Sequence, residues 1–278
     1  HSFPTRRSSD LAMTEYTHYA QYAQYTFLAA LAALSVGIQL VAFIPAFLKQ
    51  TEHFYDLVGA STYLILLATA AYFSPSLEAV DLVLLAACSL WALRLGSFLM
   101  RRVHVVGVDV RFNDIKKSFP RFLIAWSVQG LWVFFTLCPV LIVLLSAKPH
   151  GATLWTWIGL AIWIVGFATE VTADKQKWAF KADPSNKGQF IRTGLWARSR
   201  HPNYAGEITL WIGIFIACIP MLSGWQWVGI ISPLFIYFLL TRISGIPILE
   251  TNADKRWGDD AAYQDYKRKT PMLWPKLT

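Results

Sequence analysis

The sequence predicts an all-α integral membrane protein, with seven transmembrane helices in one bundle and a cofactor cavity on the cytoplasmic side. Three observations predict it. Of 278 residues, 55% are hydrophobic and only 15% charged, against about 25% charged in typical soluble domains. Mean hydropathy is +0.40. The apolar residues fall in seven continuous runs near the roughly 20 residues that cross a bilayer core as helix, and the basic residues gather between alternate runs.

The first twelve residues, HSFPTRRSSDLA, precede Met13 and lack the apolar core of a signal peptide. They are expected to be a non-native or disordered extension, which leaves 13–278 as a single membrane domain. The seven runs that follow are about Thr26 to Leu48, Phe54 to Phe73, Ala79 to Met100, Phe122 to Ser146, Leu154 to Thr172, Gly206 to Leu222 and Trp227 to Leu249. The segment after the third carries Arg101, Arg102, Arg111, Lys116, Lys117 and Arg121. The segment after the fifth carries Lys175, Lys177, Lys181, Lys187, Arg192, Arg198 and Arg200, and the tail Lys255, Arg256, Lys267, Arg268, Lys269 and Lys276. The alternating connections hold little base: Glu78 and Asp81, then Lys148 and His150, then no charge between Leu222 and Trp227. Positive charge stays inside, so the N-terminus is expected outside and the C-terminus in the cytoplasm, in a bacterial inner membrane. The net charge of +8 is thereby read as topology and not as a nucleic-acid surface. Trp155, Trp157, Trp225 and Trp227 suit the outer interfacial belt.

Cys88, Cys138 and Cys218 all lie in apolar runs without ligand spacing, so they read as packing thiols and no metal is expected. His53 and His104 read as solvated side chains near a membrane surface.

Within or bordering the runs lie Asp56, Arg94, Gln129, Glu170, Asp174, Glu207, Arg242 and Glu250. A charge at bilayer depth costs at least about 2.5 to 3.5 kcal/mol on insertion scales, so such groups face a bundle interior and pair, or mark a polar cavity. Arg94, Glu170, Asp174, Arg242 and Glu250 fall at the cytoplasmic helix ends. Glu170, Asp174, Lys177 and Lys181 recur at spacings of four and three, one stripe if the fifth helix runs past the bilayer. Two readings stand for the stripe: carboxylates for ribose hydroxyls with amines for phosphates further out, or helix salt bridges paired among themselves.

The stretch RTGLWARSRHPNYAGE, Arg192 to Glu207, adds to that stripe. Arg192, Arg198 and Arg200 offer forked donors that match phosphate oxygens. His201 and Asn203 flank Pro202, whose ring suits the first turn of a helix, so a new helix begins there with unpaired amides facing an anion. Glu207, one turn after Asn203, accepts from an amide or hydroxyl in the same cavity. These devices together describe a pocket for a large anionic cofactor.

The segments WALRLGSFLMRR, RFNDIKK, TADKQKWAFKADPSNKG, RHPNYAGE, LTRISGIPILE and DDAAYQDYKRKTP resemble the steroid 5-alpha-reductase family, in particular its bacterial DUF1295 branch. The resemblance covers about Trp91 to Lys276, within a cofactor-binding half of about 91–278, and is sharpest over Thr172 to Glu207. It implies NADPH held by Glu170, Asp174, Lys181, Arg192, Asn203 and Glu207, with Tyr204, Arg242 and Tyr263. It also implies hydride transfer to the C=C of an enone lipid or 3-oxo-steroid-like substrate, while an acid polarises the carbonyl as enolate charge develops. Characterised reductases carry a glutamine and glutamate pair on the second helix and a tyrosine on the third. Here the second helix opens TEHFYDLVGASTYL, which departs from that pair. Asp56 takes the acid position by this resemblance, with Tyr55 or Tyr63 as phenol donor; the competing reading makes Asp56 an interfacial helix cap. The expected partners are a lipophilic small molecule and membrane lipid, and no nucleic acid.

Two other functions stand beside the reductase. RHPNY, followed by Glu250 and the tail RWGDDAAYQDY, is also compatible with S-adenosylmethionine-dependent membrane methyltransferases related to isoprenylcysteine carboxyl methyltransferase. A donor with one sulfonium needs few arginines, however, and this stretch has many. A transporter or lipid-binding scaffold would show inverted repeats and broken helices at the midplane, and no such repeat is evident in the sequence.

Overall fold

The computed structural model describes residues 6–106, 112–148 and 150–275. Residues 1–5, Arg111 and Lys276, which entered the expectations above, lie outside the described residues. Among the described residues every regular element is helical, which bonds each backbone group within its own segment as lipid requires. The chain is an all-α membrane protein. Among the described residues, six helical segments are long and apolar enough to cross a bilayer: Gln21–Leu48, Ala79–Arg101, Phe119–Leu144, Leu154–Ala182, Pro202–Met221 and Gly224–Trp257.

The second of the seven expected runs is not among the six. It folds as α2 (Tyr55–Tyr72), 18 residues and about 27 Å long at 1.5 Å per residue, and Asp56, Gly59, Ser61 and Thr62 dilute its first half. The last expected run is also not one continuous helix. It comprises a 3-10 turn (Gly224–Ile230), α7 (Ile231–Phe238), a π turn (Leu239–Ile243) and α8 (Ile246–Trp257). Pro247 in the first turn of α8 supplies no amide to continue a helix from before it.

The described chain forms two compact units. The first contains α1 (Arg6–Leu48), α2, α3 (Ala79–Val106), α4 (Phe119–Leu144) and the segment Met221–Gln226. α1 packs on α4 where Gly130 lacks a side chain: a Cβ there would lie 2.9 Å from Val36 Cα, and Ser35 Oγ donates to Gly130 O at 2.8 Å. Gln24 Nε2 donates to Ile142 O, and Gln226 Nε2 donates to Gln24 Oε1. Lys116 Nζ meets the buried Glu52 carboxylate at 2.7 Å beside an aromatic cluster of Phe43, Phe112, Phe122 and Trp126.

The second unit contains α5 (Leu154–Ala182), α6 (Pro202–Cys218), α7, α8 and α9 (Ala261–Lys269). α5 and α6 run antiparallel with their backbones in contact along a glycine seam. Gly159 and Gly166 on α5 face Gly213 and Gly206 on α6. A Cβ on Gly166 would lie 2.5 Å from Leu210 N, and one on Gly206 would lie 2.6 Å from Glu170 N. Small residues permit such approach where lipid offers helices no hydrophobic drive to associate. α5 continues to Ala182, so the stripe from Glu170 to Lys181 lies on one unbroken helix.

Candidate functional site

The seam fixes what surrounds the start of α6. Because Gly206 abuts Glu170, the antiparallel register brings Asp174 alongside the first turn of α6. Glu170, Asp174 and Glu207 are 2%, 7% and 7% exposed. Three carboxylates are therefore withdrawn from solvent at one helix junction. α6 begins at Pro202, as the sequence predicts, and the first amide bonded back into the helix is that of Ala205, to His201 O at 3.0 Å. Asn203 and Tyr204 occupy the half-buried first turn.

The turn before α6 is tied to α5 from below. Gly194 adopts φ 61°, where L side chains strain, and Leu195 N donates to Gln176 Oε1 at 2.9 Å. Trp196 Nε1 donates to Ala173 O, and Lys177 Nζ lies 4.6 Å from the Trp196 ring centroid.

On its other side the turn is held by the C-terminal elements. Arg200 N donates to Pro271 O and His201 N to Met272 O. Glu250 on α8 accepts from Arg200 Nη1 and, at 2.7 Å, from His201 Nε2, with Lys267 Nζ at 3.5 Å. Lys267 also meets Asp254 at 2.5 Å, and Tyr266 OH donates to Trp196 O. Burial pulls the His201 pKa below its ordinary value; Glu250 pulls the other way, but Lys177 and Arg200 add to the lowering. Burial thus favours the neutral imidazole at His201. Burial, and the charges of Glu250 and Asp254, push the Tyr263 hydroxyl up to about 12, so it remains a donor, to Asp254 Oδ1 at 3.3 Å.

Of the expected cofactor residues, the structure brings Glu170, Asp174, Asn203, Tyr204 and Glu207 to one junction. Arg200 and His201 stand beside it, with Arg200 Nη1 and His201 Nε2 engaged by Glu250. Lys181, Arg192, Arg198 and Arg242 are exposed; the Arg192 guanidinium lies 5.8 Å from the Phe190 centroid. Tyr263 is buried among Phe190 and Trp257. The sequence marked Glu250 as one of the polar groups at the cytoplasmic cavity and as the glutamate of the methyltransferase pattern, without naming its partners. Its partners lie 49 and 50 residues away, and no local spacing signals them.

In the first unit a cleft between α2, α3 and α4 is lined by Asp56, Gly59, Tyr63, Trp91, Gln129 and Trp132 among others. Tyr63 OH bonds Thr136 Oγ1 at 2.6 Å, and its ring stands edge-on to Trp91 and Trp132. Gln129 Nε2 donates to Tyr55 O, and the carboxamide crosses the face of Gly59. Asp56 lies half-buried at this cleft. Tyr55 does not line it: its hydroxyl donates to Ala125 O at 2.9 Å and its ring packs on Phe112 and Trp126. Tyr55 therefore anchors α2 to α4.

The family model described as a protein of unknown function, DUF1295, matches residues 42–270. Over 128 residues the chain is 27% identical to an uncharacterised protein of Schizosaccharomyces pombe, covering 37% of each chain. It is 32% identical over 115 residues to a probable O-methyltransferase of Ustilaginoidea virens, covering 40% of this chain and 38% of the relative. It is 30% identical over 122 residues to a steroid 5-alpha-reductase of Gossypium hirsutum, covering 44% of this chain and 42% of the relative. The chain thus spans about two fifths of the length of these curated relatives. No solved structure matches it.

Proposed function

From its place in the DUF1295 family, to which the chain belongs and which is steroid 5-alpha-reductase-like, we propose that this membrane protein is an NADPH-dependent reductase of the C=C bond of a lipophilic enone. The observation that carries the reading is the α5/α6 junction, where three buried carboxylates meet a helix start preceded by a cationic turn. The donor set fits a dinucleotide. Ribose hydroxyls need acceptors, which Glu170, Asp174 and Glu207 provide, and phosphates need cations, which Lys181, Arg192 and Arg198 provide beside the positive end of α6. Asn203 and Tyr204 would complete the nucleotide contacts, with Arg242 on the π turn and Tyr263 behind the turn.

When bound, NADPH supplies a hydride. The chain's own contribution to the chemistry lies in the first unit. Asp56 would hold a proton at the substrate carbonyl oxygen, which gains charge as the β carbon accepts hydride. Tyr63 would place its phenol in the same cleft, and the apolar walls of Trp91 and Trp132 would exclude water. On this reading the substrate is an uncharged lipid ketone, a 3-oxo steroid among the candidates.

α2 is taken as a seventh crossing, short enough for the bilayer to thin around it. The basic connections put the N-terminus outside and the C-terminus in the cytoplasm, so the α5/α6 junction faces the cytosolic nucleotide pool.

Thermal unfolding of detergent-purified protein titrated with NADPH, NADH and S-adenosylmethionine tests the reading, because a ligand that binds only the folded state raises apparent stability. Saturable stabilisation by NADPH, followed by NADPH oxidation on adding an enone, is the expected result. Stabilisation by S-adenosylmethionine alone would transfer the site to methyl transfer, and silence toward all three would remove the nucleotide.

A further inference from the structure

Two buried polar atoms beside the α6 start have no hydrogen-bond partner: His201 Nδ1 and Arg200 Nε. His201 is 5% exposed, and its ring lies nearly parallel to that of Tyr204, 13° apart at 5.9 Å between centroids. A buried, unsatisfied ring nitrogen costs about 1–3 kcal/mol, so its presence at a ligand junction calls for an explanation.

The other face of the ring supplies one. Glu250 receives Arg200 Nη1 and His201 Nε2 on its two oxygens, with Lys267 a second cation nearby. A carboxylate so surrounded only accepts, so Nε2 must carry the proton. Neutral imidazole has one proton, and the nitrogen opposite is then a bare acceptor. An imidazolium would instead place a second N–H at Nδ1 with no acceptor, inside a field that already contains Arg200 and Lys177.

We propose that Glu250 is a positioning residue that fixes His201 as the neutral Nε2–H tautomer, and that His201 Nδ1 thereby accepts a hydrogen bond from a hydroxyl or amide N–H of the ligand at the α6 start. The inference rests on the nucleotide reading above and adds to it. His201 does not serve as a cation for phosphate. It reads a donor group, such as a ribose hydroxyl, and rejects a bare phosphate oxygen at that point of the pocket.

Substituting Glu250→Gln tests the relay. Arg200 and Lys267 donate and would claim the amide oxygen, which turns the NH2 toward His201 and moves the ring proton to Nδ1. The acceptor becomes a donor without change of shape. Glu250→Asp keeps the carboxylate and serves as the rescue.

The readout is the ring 15N spectrum of histidine-labelled protein in nanodiscs, with His201 assigned by its loss in His201→Phe. The Nε2–H pattern at pH 7 is expected in wild type and in Glu250→Asp, and the Nδ1–H pattern in Glu250→Gln. NADPH or S-adenosylmethionine, both of which carry ribose hydroxyls, should move the Nδ1 resonance of wild type, and Glu250→Gln should bind the active one roughly tenfold more weakly. An imidazolium or an Nδ1–H pattern in wild type would overturn the proposal. So would stabilisation by either nucleotide that leaves Nδ1 unmoved, and in that case the nucleotide reading survives alone. If neither nucleotide stabilises the protein, both readings fail together.

Discussion

Replacing Gly206 by alanine tests whether the α5/α6 seam places the site. A Cβ at this position would lie 2.6 Å from Glu170 N, 2.7 Å from Gly166 O and 3.0 Å from Glu170 Cα, whereas ordinary contact begins at 3.4 Å. The two helices must therefore separate locally by about 0.8 Å, since every opposing atom is backbone and cannot rotate away. Overpacking of this kind costs about 1–3 kcal/mol. The same displacement moves Glu170 away from Glu207, and misplacement near 1 Å in a positioned site costs roughly a hundredfold in rate. Gly37→Ala is the matched control, because a Cβ there meets nothing within 4 Å. Thermal unfolding and nucleotide titration of both variants in the same detergent are the assays. Gly206→Ala should unfold at lower temperature and bind at least tenfold more weakly, and Gly37→Ala should match wild type. Normal binding by Gly206→Ala would refute the argument that backbone contact along the seam sets the position of the carboxylates.

Asp56→Asn should leave nucleotide binding intact and lower the enone reduction rate at least a hundredfold; an unchanged rate would return Asp56 to its role as a helix cap. Tyr55→Phe should cost about 1 kcal/mol of stability through the lost bond to Ala125 O, with rate unaffected, and a rate loss at full stability would place Tyr55 in the chemistry. His150 gives a pH dependence: burial opposes its charge, but the Asp81 carboxylate, the Lys148 carbonyl and the charges of Asp81 and Glu78 raise its pKa above the ordinary value overall. A folded pKa above the unfolded one means a contribution complete below about pH 6.5 and lost as pH rises through the higher folded value. The unfolding temperature should fall over that window, and His150→Ala should remove that part of the slope; a slope unchanged in the variant would exclude His150 as its source.

The parts of this architecture that sequence reading recovers are those set by local rules. Pro202 starts α6 because a ring that removes a donor and fixes φ is tolerated in the first turn, whatever surrounds it. The stripe from Glu170 to Lys181 needs only an unbroken helix, and α5 runs to Ala182. α2 was harder to read, since Asp56, Gly59, Ser61 and Thr62 lower the hydropathy of a helix that has only the minimum length of a span. The break before α8 had a local sign in Gly245 and Pro247, but the apolar run across it hid the interruption. Glu250 showed in the sequence as a charge bordering an apolar run, but its partners did not. Its meaning depends on Arg200, His201 and Lys267 arriving around it by tertiary packing. The seam lies between these cases: Gly159 and Gly166, then Gly206 and Gly213, each pair seven apart, mark two small faces, yet spacing alone cannot say that the faces meet.

Glycine also does opposite things in the two units, and the difference bears on where variation is tolerated. At Gly206 and Gly166 the neighbours are backbone atoms of the opposing helix, so any added carbon is transmitted to a whole element. At Gly59 a Cβ would fall 2.0 Å from Gln129 Nε2, the far end of a flexible side chain, while Gln129 Cδ would stand 3.1 Å away. A larger residue at 59 can displace the carboxamide and its bond to Tyr55 O while α2 and α4 stay in place. The α5/α6 junction therefore has little freedom to change shape, as suits a cofactor of fixed chemistry. The α2/α3/α4 cleft can be recut by single side chains, which is the behaviour the proposed reductase reading expects where a lipid is selected.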